Sequence, residues 1–363
     1  MKVLKKILKA MLILLSVVVG LVMLLFVVLT ITEYKPDDIE TLEITAKETN
    51  TDSTNAQLKT GESYNIITWN IGYGALGEDA DFFMDGGKSV RAESKELVLA
   101  NMDSINQRIE EMNPDILLLQ EVDEKSSRSQ KVNEKEIIQS TFANYCSSYA
   151  YNYKTLMVPY PIPPLGRVAS GIMTLSKFDV QEATRVQLPC PFSYPVRLCN
   201  LKRCLLISRI PISGSDKELV IVNVHLEAYD NGEGKIAQTK MLADLLKAEV
   251  DAGNYVIAGG DFNQTFSNID VSAYKVQSDD LWKPSDIDVT EFGDSLICLT
   301  DPSTPTCRSL DRPLKGNENN NFQYYMIDGF IVSSNITINS IETIDTGFTV
   351  TDHNPIEVIF VLE

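Results

Sequence analysis

Two patterns of polar and apolar positions divide the chain. In the first 32 residues the polar positions cluster at the start, in "MKVLKKILK", and then stop. Ala10 to Thr32 form an uncharged apolar run of 23 residues. At about 1.5 Å per residue this run is roughly 34 Å long as a helix, enough to cross a bilayer core. A cleaved signal peptide has a shorter apolar region, about 7–15 residues, that ends in a small-x-small site. "VVLTITEYKP" offers no such site, so the run reads as an uncleaved anchor over residues 10–32. Lys2, Lys5, Lys6 and Lys9 precede it, and Glu33, Asp37, Asp38 and Glu40 follow it. That asymmetry places residues 1–9 in the cytoplasm and the rest outside it. Residues 33–63 are polar and poor in aromatics, and they read as a tether.

From Tyr64 onward the apolar positions take the periods of strands and helices. "YNIITWN" is a β-prone run that stops at Asn70. Val98, Met102, Ile105, Ile109 and Met112 recur at steps of four and three, one face of a helix that Asn113-Pro114 ends. "DILLLQEVD" is nearly continuous in apolar residues, the pattern of a strand buried on both faces. "SGIMTLSKF", "CLLISRIPI", "ELVIVNVHLE", "YVIAGGDFNQ", "MIDGFIVSS" and "NPIEVIFVLE" follow, with a helix near residues 235–250. Several strands succeed one another without a helix, so the sequence predicts a mixed-sheet α/β protein over residues 64–363. Residues 265–322 are long, polar and rich in Pro and Asn, the character of a specificity loop or an insertion.

Composition narrows the partners. The hydrophobic share of 44% and charged share of 23% are those of a globular chain. Net charge is −18, and it moves to −22 once the four N-terminal lysines are set aside. Such a balance argues against broad nucleic-acid backbone binding and against an anionic membrane face. It does not exclude a metal-assisted phosphate site, because a bound cation inverts the local charge. The six cysteines suit an oxidising compartment. Cys190/Cys199 and Cys298/Cys307 share a nine-residue spacing across Pro-containing loops, so two local disulfides compete with free thiols as readings. No CxxC is present and no histidine lies near these cysteines, which argues against zinc.

Polar residues gather where the apolar strands end: Asn70, Glu121, His225, Asp261 with Asn263, Asp328, and Asp352 with His353. Taken singly, each has a bland reading as a turn former, a cap or a core residue. Together they gain weight, because the chain has only two histidines and both lie at strand ends among these acids. Glu121 and Asp352 are hard oxygen ligands and Asn70 offers a neutral carbonyl, a set that suits Mg²⁺. Two imidazoles can divide proton-transfer work, with Asp328 fixing the tautomer of His353. Asp261 and Asn263 are two apart on an extended segment, so they face one way and can position water and a phosphoryl oxygen.

"TWNIG", "LLLQEVD", "VNVHLE", "GGDFNQ", "IDGFIVS" and "TDHNPI", in this order, resemble the motif set of the endonuclease/exonuclease/phosphatase (DNase I-like) superfamily. The resemblance spans residues 64–361 and is carried most specifically by "GDFN" and "DHNP". It implies a four-layer α/β sandwich of two packed mixed β-sheets, and phosphoester cleavage assisted by Mg²⁺ or Mn²⁺. By the same resemblance, Asn70, Glu121 and Asp352 stand on the metal side and His225 faces the oxygens of the scissile phosphate. Asp261 and Asn263 orient water and phosphate, and Asp328–His353 form a dyad. Asp261 and His353 together are the water-activating group. Arg203 is similar to a phosphate-binding arginine, with Arg197 and Lys202 as competitors. A phosphate-contacting tyrosine falls among Tyr149, Tyr151, Tyr153 and Tyr160.

The substrate stays open between a nuclease-like or small phosphodiester and a sphingomyelinase-like phospholipid head group, since a fold does not choose its substrate. "VPYPIPPLG", residues 158–166, reads either as a lipid-inserting hairpin or as a rigid surface loop. A catalytically silent anchored binding domain is the reading from another class. It predicts a missing catalytic group, and none is missing. The membrane is contacted through residues 10–32, and no obligate protein partner is implied.

Overall fold

The structure is a computed structural model that describes residues 1–48, 57–230, 232–317 and 322–363. Part of the segment read as a tether, 49–56, and part of the 265–322 stretch, 318–321, lie outside the described residues. The first half of the chain forms α1 (Lys2–Ile31), β1 (Ile39–Thr41), β2 (Ile44–Thr45), β3 (Ser63–Asn70), α2 (Lys95–Met112), β4 (Ile116–Asp123), α3 (Glu134–Thr141), β5 (Cys146–Val158) and β6 (Gly166–Ser176). Next come β7 (Glu182–Gln187), β8 (Cys204–Pro211), β9 (Glu218–His225), α4 (Glu233–Asp251), β10 (Tyr255–Asp261), β11 (Gln264–Phe266) and β12 (Ser285–Ile287). The chain ends with β13 (Leu296–Leu299), β14 (Cys307–Arg308), β15 (Tyr324–Tyr325), β16 (Asp328–Ser333), β17 (Ile336–Thr343) and β18 (Ile356–Leu362).

Two seven-stranded sheets carry the fold. One runs β1-β7-β8-β9-β10-β16-β13 and the other β17-β18-β3-β4-β6-β5-β2. Each has one parallel pair, β9 with β10 and β3 with β4, and every other pairing is antiparallel. The parallel pairs explain the nearly continuous apolar runs "DILLLQEVD" and "YVIAGG", because strands there are covered on both faces.

One layer of side chains, including Ile66, Leu118, Ile221, Ile257, Phe330 and Val358, fills the space between the sheets. On the outer face of the second sheet lies α2, which buries Val98, Met102, Ile105 and Ile109, the face that the sequence spacing predicts. Ser94 caps it by accepting from Leu97 N at 3.1 Å, and Asn113 ends it at φ 47°. Burying four such side chains contributes up to about 6–12 kcal/mol, so packing, more than propensity, holds this helix. On the outer face of the first sheet, α4 lays Leu242, Ala243 and Leu246 on the core. Helix, sheet, sheet and helix make four layers, as the family resemblance implies.

Residues 39–45 fall within the stretch read as a tether, yet they pair with the fold. β1 extends one sheet beside β7, and β2 extends the other beside β5. Neither nine-residue cysteine pair is bonded, and all six thiols are free. The reason is placement: Cys298 packs into the core under α4, while Cys307 pairs through a β-bridge with His353.

Candidate active site

Register builds the centre of the site. In the first sheet, Asp261 is paired with His225 on one side and with Asp328 on the other, so three strand ends set three titratable side chains in one row. Across the sandwich, Asn70 ends β3 beside Gln120, and Glu121 follows at a bulge in β4 with φ +58°. A positive φ costs a residue such as glutamate about 1–3 kcal/mol, a strain that collects at functional sites. Gly260 precedes Asp261 at φ +151°, where a Cβ would stand 1.9 Å from Val224 O, so only glycine fits the approach of β10 to β9. The "TDHN" segment is tied to β3: Thr351 Oγ1 donates to Asn70 O at 3.1 Å, and Trp69 Nε1 donates to His353 O at 2.9 Å.

Asp261 Oδ2 is the point of convergence. Asn70 Nδ2 donates to it at 3.0 Å, His225 Nε2 lies 3.4 Å away and His353 Nε2 3.9 Å away. Its other oxygen accepts from Asn263 N at 2.8 Å, and Asn263 Nδ2 donates to Leu226 O at 3.0 Å. His353 Nδ1 is 2.9 Å from Asp328 Oδ2. Burial, then the Asp328 charge, pushes the Asp261 carboxyl up to about 7. Burial opposes a charge on His353, but Asp328, Cys307 and Asp352 outweigh it and raise His353 well above its ordinary value. His225 goes the other way: burial, Arg203 and His353 hold it well below, so it stays neutral. Two imidazoles near one carboxylate are thus kept in opposite charge states.

These groups open on a cavity of about 620 Å³ lined by Glu121, Arg203, His225, Asp261, Asn263, Asp352 and His353. Asn70 and Asp328 stand one step behind its wall. Asn70 has its oxygen occupied by Gly72 N at 3.0 Å and its nitrogen by Asp261, so its amide is fixed at both ends. Arg203 is buried, with Nε 3.9 Å from Glu227 Oε2, and its Nε and Nη1 have no hydrogen-bond partner among the described residues. The competitors are engaged elsewhere: Arg197 and Lys202 pair with Glu33 at 3.2 and 3.4 Å. Tyr153 and Tyr160 line the cavity, whereas Tyr149 hydrogen-bonds Val122 O and Tyr151 packs against Tyr34.

The donor set fits a hard divalent cation. Glu121 and Asp352 both line the cavity. Burial raises Asp352, and Glu121 adds to the rise despite His353 and Arg308. Nearby Asp85 is pushed up to about 7 by burial, with Asp352 and Glu121 contributing. Oxygen ligands crowded in this way suit Mg²⁺ or Mn²⁺. Cys307, Asp352 and His353 also bring ligand atoms within 4.8 Å of one another. Burial pushes the Cys307 thiol up to about 12, however, so it stays protonated and is a poor ligand for a hard ion.

Several site neighbours were not marked as site residues by the sequence. Arg128 donates to both oxygens of Asp123 at 3.0 and 3.1 Å, lies 3.3 Å from Glu121 Oε2 and stacks 3.8 Å over the ring of Tyr73. Trp282, Cys307 and Tyr325 enter from the long 265–322 region and its end. A buried arginine and a loop tryptophan have no periodicity to betray them.

A family model described as the Endonuclease/Exonuclease/phosphatase family matches residues 67–326. No curated protein matches the chain. Among solved structures the chain is similar to an endonuclease/exonuclease/phosphatase from Beutenbergia cavernae DSM 12333, at 16% identity and TM-score 0.53, covering 83% of this chain and 72% of that one. One from Bacteroides vulgatus gives 16%, TM-score 0.53, and 83% and 100% coverage. ANGEL2, a 2′,3′-cyclic phosphatase solved with adenosine-2′,3′-vanadate, gives 15%, TM-score 0.54, and 83% and 96% coverage. At these identities the structural likeness speaks for the fold, and the family match carries the assignment. The chain belongs to the endonuclease/exonuclease/phosphatase family, a family of phosphoester hydrolases.

Proposed function

We propose that the chain is a divalent-metal-dependent phosphodiesterase, anchored by α1 and acting on the extracytoplasmic side. The observation that carries this reading is the convergence on Asp261 Oδ2 of Asn70, His225 and His353, with Asp328 behind His353. Asp261, whose carboxyl burial and the Asp328 charge push up to about 7, takes the proton of the attacking water with His353 beside it. Asp328 keeps His353 charged and oriented. His225, Asn263 and Arg203 face the phosphoryl oxygens, and the two free guanidinium nitrogens of Arg203 suit that contact. A divalent cation held by Glu121 and Asp352, with Asn70 at their side, would neutralise charge on the phosphoryl group. Water's oxygen joins phosphorus, one P–O ester bond breaks, and the leaving oxygen takes up a proton.

The anchor reading rests on α1, a 30-residue helix long and apolar enough to span a bilayer, with its lysines at the N-terminal end. The test is turnover by the full chain of bis-p-nitrophenyl phosphate and of plasmid DNA, with Mg²⁺, with Mn²⁺ and with chelator. Turnover that needs the cation and disappears in His353→Ala supports the reading. Turnover indifferent to chelator or to His353→Ala would overturn it.

A further inference from the structure

We propose that the active-site cavity opens onto the bilayer, and that the phosphodiester it takes is that of a membrane lipid with a cationic, choline- or amine-bearing head group. This rests on the reading of α1 as a membrane span and of the cavity as a phosphoesterase site.

The span is held against the site. Leu29 near the end of α1 is 3% exposed, Phe26 lines the same cavity as His225 and His353, and the helix touches β5 and the turn at 196–199. About 20 residues of helix cross a bilayer core, so a span starting near Ala10 leaves Phe26–Ile31 at the outer leaflet. No slack follows. Glu33 pairs with Arg197 and Lys202, Tyr34 packs edge-on against Tyr151 at 6.3 Å, and β1 and β2 join the two sheets. The mouth of the cavity is therefore fixed at head-group level.

The rim at this level is apolar and uncovered. Ile162 at the tip of the 158–166 hairpin is 95% exposed, Tyr160 67%, and Tyr194 and Val196 54% each. Tyr160 and Val196 line the cavity themselves. Uncovered apolar side chains flanking a membrane span suit an interface, where aromatic and aliphatic groups sit among head groups and upper acyl chains.

Tyr229, Trp282 and Tyr325 also line the cavity, with ring centroids 6.5 and 5.2 Å from that of Trp282, and Tyr229 donates to Asp85 Oδ1 at 3.0 Å. Three rings beside a carboxyl, one of them already 5.7 Å from Lys235 Nζ, form a surface that draws quaternary or primary ammonium groups. A lipid then lies with its ammonium on that wall, its phosphate at Asp261 and its acyl part over the hairpin. Water attacks phosphorus, the P–O bond to the lipid alcohol breaks, and the alcohol leaves with a proton while the phosphorylated head group remains.

The full chain, reconstituted with Mg²⁺, is assayed on phosphatidylcholine and sphingomyelin vesicles, on bis-p-nitrophenyl phosphate and on plasmid DNA. The expected result is release of phosphorylated head group from vesicles. Ile162→Glu then lowers vesicle turnover by about tenfold or more, the scale of one lost apolar contact, and leaves bis-p-nitrophenyl phosphate turnover unchanged. Turnover of the soluble ester or of DNA with vesicle lipid untouched overturns the proposal, as does an equal fall on both substrates in Ile162→Glu. No turnover of any substrate instead overturns the phosphoesterase reading beneath it.

Discussion

Asp328 Oδ2 lies 2.9 Å from His353 Nδ1, and both side chains are buried. The pair fixes the imidazole, turning Nε2 toward Asp261 at 3.9 Å. Asp328→Asn keeps the shape and removes the charge. It is expected to lower kcat on bis-p-nitrophenyl phosphate by about 10²–10⁴ with little change in KM, the range seen when a histidine loses its orienting carboxylate. A KM effect with kcat intact would mean that Asp328 only shapes the pocket.

Glu121 is held at φ +58° against Arg128, with a partly exposed carboxylate in the cavity. If its strain serves the cation, Glu121→Gln raises the Mg²⁺ concentration for half-maximal turnover by about 10–100-fold. The ester's KM at saturating Mg²⁺ should then stay near the original value. A metal titration by isothermal calorimetry, independent of turnover, reads the same shift. Unchanged Mg²⁺ dependence removes Glu121 from the metal site.

Arg203 keeps two guanidinium nitrogens unpartnered at the cavity wall. A charge-assisted hydrogen bond contributes about 1.5–3 kcal/mol, so Arg203→Lys should weaken inhibition by inorganic phosphate by about 10–100-fold. Equal inhibition of both proteins would show that Arg203 merely balances Glu227.

His225 supplies a pH prediction free of turnover. Its folded-state pKa lies well below the unfolded value near 6.5, so the unfolded chain takes up the proton first as pH falls. The histidine thus removes stability below about pH 6.5, by up to about 1.4 kcal/mol per pH unit. His225→Asn should narrow the loss of Tm between pH 7 and 5 relative to the unmutated chain. Parallel Tm curves would mean that His225 is not held neutral.

Much of this was readable from the residue order, for identifiable reasons. Strand ends were legible because apolar runs stop abruptly at Asn70, Glu121, His225 and Asp261, and register then sets His225, Asp261 and Asp328 in one row. The α2 face was legible because five apolar positions repeat on a helical period. The pairing of residues 39–45 was hidden: two- and three-residue edge strands are too short to show a period, and polar residues suit edges that face water. The cysteine spacing left disulfides and free thiols as open alternatives, because separation along the chain says nothing of what each thiol packs against. Asn70 is oriented by Gly72 and Asp261 through its amide, contacts that only tertiary geometry reveals. Arg128, Trp282 and Cys307 reach the site from segments without periodicity.

The claim at the centre is that Asp261 and His353 act as one water-activating unit, and a double-mutant cycle tests it most directly. Turnover of bis-p-nitrophenyl phosphate is measured for the unmutated chain, Asp261→Asn, His353→Ala and the double variant, at saturating Mg²⁺. Groups that act as a unit give strongly non-additive losses, so each single variant should lose about 10³-fold or more and the double variant little beyond that. Losses that multiply, or a single variant that keeps full turnover, would contradict a shared role and separate the two residues into independent tasks.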